Sequence, residues 1–378
     1  MSLAKRKKIK RYDINPLVQV CADYNTIIGA RTNGKSYQVK WYLLKECWNN
    51  SKKLVYLRRW KEEVKIEQVE KYWSDMVKDD EGNERVKEVT EGKCDCITVW
   101  RGSIYLGKTN EETNKIERVY ELGYIMRLAE AETYKSGSYP NYDYLLWEEF
   151  ITNNGYTPRE MEKFMSIIST VFRARKGKVF MIANTIATVC PAFIEWGIDY
   201  RKLQKGTISL FNHTTLQLGD NPVNVKIAVE YTDVAVEQAM IFGKSKQMMV
   251  SGEWETRDYP KIPEHLKYYK KWYTMYVLYN DFRFVVTLLS DYNKYSFVYV
   301  YPYTHEELPV NARVVTDVIK FDRQVTPNMS IYRNKYDKLI MQLLTEKRVC
   351  FSDNLTATGF YQTLVALGHT KFREEYKT

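Results

Sequence analysis

Gly29, Ala30, Arg31, Thr32, Asn33, Gly34, Lys35 and Ser36 complete the pattern G-x-x-x-x-G-K-[ST], whose chemistry is phosphate binding. Glycines let consecutive backbone N–H groups wrap a β-phosphate, and a helix starting at the loop adds the positive end of its dipole. Lys35 then bridges the β- and γ-phosphates, the Ser36 hydroxyl ligates Mg²⁺, and Tyr37 adjoins the nucleotide. A nucleoside triphosphate is the expected ligand. The loop needs a partner strand ending in acids, one to hold Mg²⁺ and one to polarise the attacking water. Tyr144-Leu-Leu-Trp147 followed by Glu148-Glu149 supplies both. Glu148 takes the metal-holding place, where Asp is usual, and Glu149 is the candidate general base. An isolated Glu-Glu after an apolar strand would read as a solvated strand end; downstream of a phosphate loop the catalytic reading is favoured. The following helix closes with Thr170-Val-Phe-Arg173-Ala-Arg175. Arginines there either compensate the helix dipole or, as in ring ATPases, reach a neighbouring subunit's γ-phosphate. Asn184, ending the next strand, either senses the γ-phosphate or caps the chain locally.

The elements that must position these residues alternate in type. Ile27-Ile28 precedes the loop as a strand, and Val39, Tyr42 and Leu43 face one side of the helix after it. Residues 53–59, Lys-Leu-Val-Tyr-Leu-Arg-Arg, read as a buried strand ending in two arginines, which completes a β-α-β unit. The charged region 74–93, with a turn at Asp80-Glu-Gly-Asn83, reads as an insertion. Residues 97–100 and 104–106 flank Arg101-Gly-Ser as a hairpin on the sheet edge. Strands at 142–147 and 178–183 are separated by a helix over 158–176. Residues 1–205 are thus expected to form an α/β P-loop ATPase domain of the ASCE/RecA-like kind with a parallel-sheet core. Residues 206–262 read as a linker subdomain, with short strands at 207–211 and 225–229 and a helical piece around Val234 to Met240. From 263 to 378 the chain is tyrosine-rich. Three strands at hairpin spacing (273–279, 282–289, 296–301) precede a helix (330–346), a strand (348–351) and a helix (356–367), the order of an RNase H-like fold.

At 378 residues the chain exceeds what one core usually holds. A formal net charge of +10 suits either a polyanionic partner or plain solubility. The basic arm at residues 4–11 reads as a disordered tail or a phosphate contact. The six cysteines are scattered, and Cys94-Asp95-Cys96 is one residue short of C-x-x-C, so neither a zinc site nor a disulfide framework follows. With no signal-peptide pattern and no membrane-length apolar stretch, a cytoplasmic setting is the default expectation.

Taken together, Ile28-Gly-Ala-Arg-Thr-Asn-Gly-Lys-Ser-Tyr37, Val55-Tyr-Leu-Arg-Arg59, Tyr134-Lys-Ser136 with Tyr139-Pro140, Glu149-Phe-Ile151, Thr170-Val-Phe-Arg173, Ala183-Asn184 and Pro191-Ala-Phe193 resemble the DNA-encapsidation ATPases of small phi-29-like podoviruses. The C-terminal half resembles them more loosely, through Val277-Leu-Tyr-Asn280, Phe351 and Asp353-Asn354. The resemblance implies ATP and Mg²⁺ at Lys35 and Ser36, and Glu149 as the catalytic acid. It implies Arg173 as an arginine finger acting on the neighbour, with Lys135 near the interface. It also implies a ring, usually pentameric, that attaches transiently to a procapsid portal in the host cytoplasm and drives double-stranded DNA inward without regard to sequence. Whether a packaging RNA takes part is left open, as is the choice between Arg173 and Arg175. The family's C-terminal domain is RNase H-like without its metal site. Here Asp281 and Asp353 lie near strand ends with no convincing further carboxylates, which argues against a two-metal nuclease. The alternatives are a terminase with an active nuclease, another DNA-translocating or helicase-type P-loop ATPase, and an inactive scaffold that binds portal or DNA.

Overall fold

The computed structural model describes residues 12–152, 156–157, 159–173, 175–185, 190–215, 223–233, 259–262, 266–279, 282–305, 307–316, 325–327, 334–367, 369 and 371–372. The basic arm, the helical piece around Val234 to Met240 and Asp281 lie outside them. The chain divides into two units interleaved along the sequence: one of residues 1–151, 159–185 and 201–253, the other of 152–158, 186–200 and 254–378.

The first unit is built on a nine-stranded sheet. Its elements are α1 (Asn15–Gln19), β1 (Tyr24–Gly29), α2 (Lys35–Asn49), β2 (Lys53–Arg58), α3 (Ile66–Val77), α4 (Arg85–Val89), β3 (Cys96–Trp100), β4 (Ser103–Thr109), β5 (Ile116–Arg127), β6 (Tyr142–Glu148), α5 (Glu160–Phe172), β7 (Lys178–Asn184), β8 (Thr207–Thr215) and β9 (Val223–Tyr231). The order is β3-β4-β5-β2-β6-β7-β1-β9-β8, and the run from β5 to β9 is parallel throughout. β2 and β7 read as near-continuous apolar runs because they are buried on both faces, and β1 is buried likewise although it carries Asn25 and Thr26. β3 and β4 form the expected edge hairpin, turning through Arg101 (φ 48°) and Gly102 (φ 83°), the positive pair a two-residue turn requires.

Two expectations need correction. β8 and β9 do not form a separate linker subdomain: β9 pairs in parallel with β1 and β8 pairs with β9, so the boundary expected at 205 falls inside the first unit. Their short polar-flanked runs look like isolated strands in sequence, but a β-ladder partner can lie far away along the chain. Nor is 74–93 a simple insertion. Val69, Trp73 and Met76 form an apolar stripe on α3, and α4 buries Val86; all four enter the core beneath α2 with Val39 and Leu43.

The second unit holds a six-stranded sheet ordered β14-β13-β10-β11-β12-β15, from β10 (Lys270–Tyr279), β11 (Phe282–Ser290), β12 (Ser296–Pro302), β13 (Val314–Thr316), β14 (Val325–Pro327) and β15 (Val349–Phe351). β10, β11 and β12 are the expected antiparallel meander. Helices α6 (Pro191–Glu195), α7 (Lys335–Thr345) and α8 (Asn354–Ala366) complete the unit. Ile340, Leu344, Phe360 and Leu364 of α7 and α8 pack on Val286, Val298 and Val300. The strand after α7 pairs in parallel with β12, while β13, which the sequence did not reveal, pairs in parallel with β10. No helix among the described residues is long and apolar enough to cross a membrane.

Candidate active site

β1 and β6 are separated in the sheet by β7, so Gly29, Glu148 and Asn184 all emerge at the carboxyl ends of neighbouring strands. The loop leaves β1 through Gly29 (φ 148°), where an added Cβ would lie 2.2 Å from Thr232 Oγ1. It passes Thr32 (φ 62°) and enters α2 from Gly34 (φ 91°), the left-handed positions a tight phosphate loop needs. Asn33 is buried and braces the loop from within. Its Nδ2 donates to Thr232 Oγ1 at 2.9 Å, its Oδ1 accepts from the Lys35 N–H at 3.2 Å, and its carbonyl accepts from the Tyr12 N–H at 3.0 Å.

Lys35 is 4% exposed. Its Nζ donates to the carbonyls of Gly29 (3.4 Å) and Ala30 and to Asn184 Oδ1 (3.3 Å). Burial lowers its pKa to about 8, against the pull of Glu148, and exposed Arg31 lowers it further. Ser36 Oγ donates to Glu148 Oε1 at 2.5 Å. Burial raises the Glu148 pKa, although Ser36 and Arg58 oppose the shift. Glu148 Oε2 is buried and has no hydrogen-bond partner among the described residues. Glu149 is next along the chain in a left-handed conformation (φ 56°), with a half-exposed side chain whose Oε2 accepts from Arg58 Nη2 at 2.8 Å.

These groups line one cleft of about 810 Å³, with Arg31 through Tyr37, Glu148, Glu149 and Ile182 to Asn184 on one side. Ser74 and Asp75 of α3, Lys78 just past its end and the turn at Asp79-Asp80 form the other wall. Tyr37 donates its hydroxyl proton to Asp79 Oδ2 and accepts from Arg85 Nε, both at 2.8 Å. That wall, the contacts of Arg58 and the Thr232 brace were not foreseen; the only sequence signal was the pair of arginines closing the run 53–59. Of the expected loop residues Arg31 through Tyr37 line the cleft, together with both acids and Asn184, while Gly29 and Ala30 contribute only carbonyls to Lys35 Nζ.

Arg173, Arg175 and Lys135 do not reach it. α5 runs back across the sheet, so its end lies by the start of β6. Arg173 Nη2 donates to the Gly137 carbonyl at 2.8 Å, from an exposed position. Arg175 donates to Asp143 Oδ1 (2.7 Å) and to the carbonyls of Tyr139 and Val171 (2.8 Å each). Lys135 pairs with Glu132 at 2.6 Å on the surface. In the second unit Asp353 caps α8, accepting from the Thr356 N–H at 2.8 Å and from the hydroxyls of Ser352 (2.7 Å) and Thr356 (2.6 Å). Among the described residues no group of three or more His, Cys, Asp or Glu side chains is placed to hold a metal.

The family described as Podovirus DNA encapsidation protein (Gp16) matches residues 7–97 and 116–218, together more than half of the chain. The DNA packaging protein of Bacillus phage B103 is 27% identical over 204 residues, covering 52% of this chain and 54% of that protein. That of Bacillus phage phi29 is 27% identical over 174 residues, 45% of each. The chain spans about half the length of the curated relatives it matches. In fold it is similar to the solved bacteriophage Phi-29 viral genome packaging motor assembly, with a TM-score of 0.54 at 16% identity over 95% of this chain and 99% of that one.

Proposed function

The chain belongs to the Podovirus DNA encapsidation family, and from that premise we propose that it is the ATPase of a ring-forming motor that moves double-stranded viral DNA into a procapsid. The observation that carries this reading is the joining of phosphate loop and acidic strand end: Ser36 and Glu148 are in direct contact, and Glu149 follows in the same cleft. In this reading Lys35 exchanges the Gly29 and Ala30 carbonyls for β- and γ-phosphate oxygens, and the loop N–H groups take the β-phosphate. Asn184, already on Lys35 Nζ, reports the γ-phosphate. Glu149 accepts the proton of the attacking water once its carboxylate lets go of Arg58.

A hydroxyl beside a buried carboxylate with one unpartnered oxygen is a hard-oxygen donor set that fits Mg²⁺. Ser36 and Glu148 would hold it. It would neutralise charge developing on the phosphates. Glu148 reaches the hydroxyl despite the extra methylene relative to Asp. Arg173 acts on the γ-phosphate of the adjacent subunit, as its exposure far from its own cleft suggests, with Lys135 beside the interface.

The partners are double-stranded DNA, gripped through phosphates and hence without sequence preference, and the portal of a procapsid in the host cytoplasm. The ring is expected to be a pentamer, with a packaging RNA left open. The meander of the second unit, flanked by parallel strands and by α7 and α8, supports the reading of an RNase H-like domain; that it does not cut DNA rests on the sequence reading alone. ATP hydrolysis measured with and without procapsids and duplex DNA tests the function. Stimulation by both is expected, and turnover indifferent to both would contradict it.

A further inference from the structure

Arg58, which ends β2, and Arg59, which follows it, treat Glu149 differently. Arg58 takes its carboxylate; Arg59 takes its main chain. The Arg59 side chain is 2% exposed. Its Nε and Nη2 donate to Glu160 Oε2 and Oε1, both at 2.9 Å. Its Nη1 donates to the Glu149 carbonyl at 3.0 Å, and Nη2 also to the Phe150 carbonyl at 2.8 Å. One planar guanidinium therefore ties the first turn of α5 to two successive carbonyls of the bend that leaves β6. Burying such a pair is costly, and only fork geometry with satisfied hydrogen bonds repays it.

The bend is one the chain would not adopt unaided. Glu149 sits at φ 56°, a region that favours Gly, Asn or Asp over Glu. Its N–H is fixed by the Ile182 carbonyl at 2.8 Å, and its own carbonyl by Arg59. With both ends of the residue held, main-chain geometry sets the direction in which its side chain leaves the backbone, and Arg58 holds the carboxylate beyond that. We propose that Arg59 is the positioning residue for Glu149: its buried fork holds the left-handed bend that aims the carboxylate into the cleft. The inference rests on Glu149 being the general base.

Two variants of the full chain separate positioning from mere stability. Arg59→Lys keeps a charge for Glu160 but cannot bond both carbonyls in the same plane. The double replacement Arg59→Met with Glu160→Met removes the buried charges together, which cores commonly tolerate. For both we expect KM for ATP within about twofold of the wild type and kcat lower by about 10²-fold, the effect of misplacing a reacting group. Amide hydrogen exchange across residues 148–151, measured without nucleotide, should quicken in both. Wild-type kcat in the double variant would overturn the proposal, as would unchanged exchange in Arg59→Lys or a rise in KM matching the loss of kcat. Should Glu149→Gln hydrolyse ATP at the wild-type rate, the base assignment falls, while the exchange measurement still decides whether Arg59 holds the bend.

Discussion

The two ends of the nine-stranded sheet are built for opposite purposes. At the carboxyl ends of β1, β7 and β6, charged groups are buried and turned inward: Lys35 onto loop carbonyls and Asn184, Glu148 onto Ser36. At the other end of β6, charged groups are turned outward: Lys135 pairs on the surface and Arg173 holds only one carbonyl among its described contacts. Burial costs a charge its hydration, and that cost makes a group responsive to an incoming polyanion. Exposure leaves a group free to be withdrawn by another molecule. On the proposed function, one chain carries the body of a phosphate site at one end and, in Arg173, reach for a neighbour's site at the other, which is the arrangement a ring would use.

Breaking the buried end should have the largest effect. Lys35→Ala or Glu149→Gln is expected to lower ATP turnover by ~10²- to 10⁴-fold with the fold retained, as followed by phosphate release and circular dichroism. Next comes the loop itself. Gly29→Ala would push a Cβ to 2.2 Å from Thr232 Oγ1 at a φ of 148°. About 1–3 kcal/mol of strain should appear as roughly ten- to hundredfold weaker ATP binding by calorimetry. Thr232→Ala in the same chain should restore part of it, and no recovery would remove Thr232 from the account.

The third effect is on pH dependence. Lys35 is lowered from 10.5 to about 8 by burial. Below about 8 it is charged in both folded and unfolded chains and its burial cost is fully present. Between about 8 and 10.5 the unfolded chain holds the proton and the folded one does not, so this group's contribution to stability rises with pH. Phosphate drives the proton back on. ATP binding just above pH 8 should therefore take up protons, seen as a dependence of binding heat on buffer ionisation enthalpy, and Lys35→Arg should abolish it. The smallest effect sharpens the outward end. Arg175 ties Asp143 to two carbonyls, so Arg175→Ala should lower stability by about 1 kcal/mol after solvent screening. Arg173→Ala should leave thermal stability unchanged, as suits an exposed side chain that holds one carbonyl among its described contacts.

How far the sequence alone reaches follows the same division. The phosphate loop is legible because its conformation is local: Gly29, Gly34, Lys35 and Ser36 announce it by spacing. Glu148-Glu149 is legible because an apolar strand before two acids has few other uses downstream of such a loop. What holds these groups is not legible, since it depends on which strands become neighbours. Asn33 and Thr232 are 199 residues apart, and Arg59 and Glu160 are 101 apart. For the same reason β9 reads as a linker strand until its pairing with β1 is seen, and β13 and β14 are too short to show any period. The apolar stripe of α3 is hidden by the charges around Trp73 and Met76, which are solvated without disturbing the buried face.

The claim that each working site is completed by a second chain is tested most directly by mixing. Arg173→Ala and Glu149→Gln subunits, each expected to be inactive as a homogeneous assembly, are combined in varied proportions with subunit exchange verified, and ATP turnover is measured. Activity is expected in the mixtures and none in either parent, because some interfaces then pair an intact Arg173 with an intact Glu149. No activity at any ratio would place the finger within the same chain or on another residue.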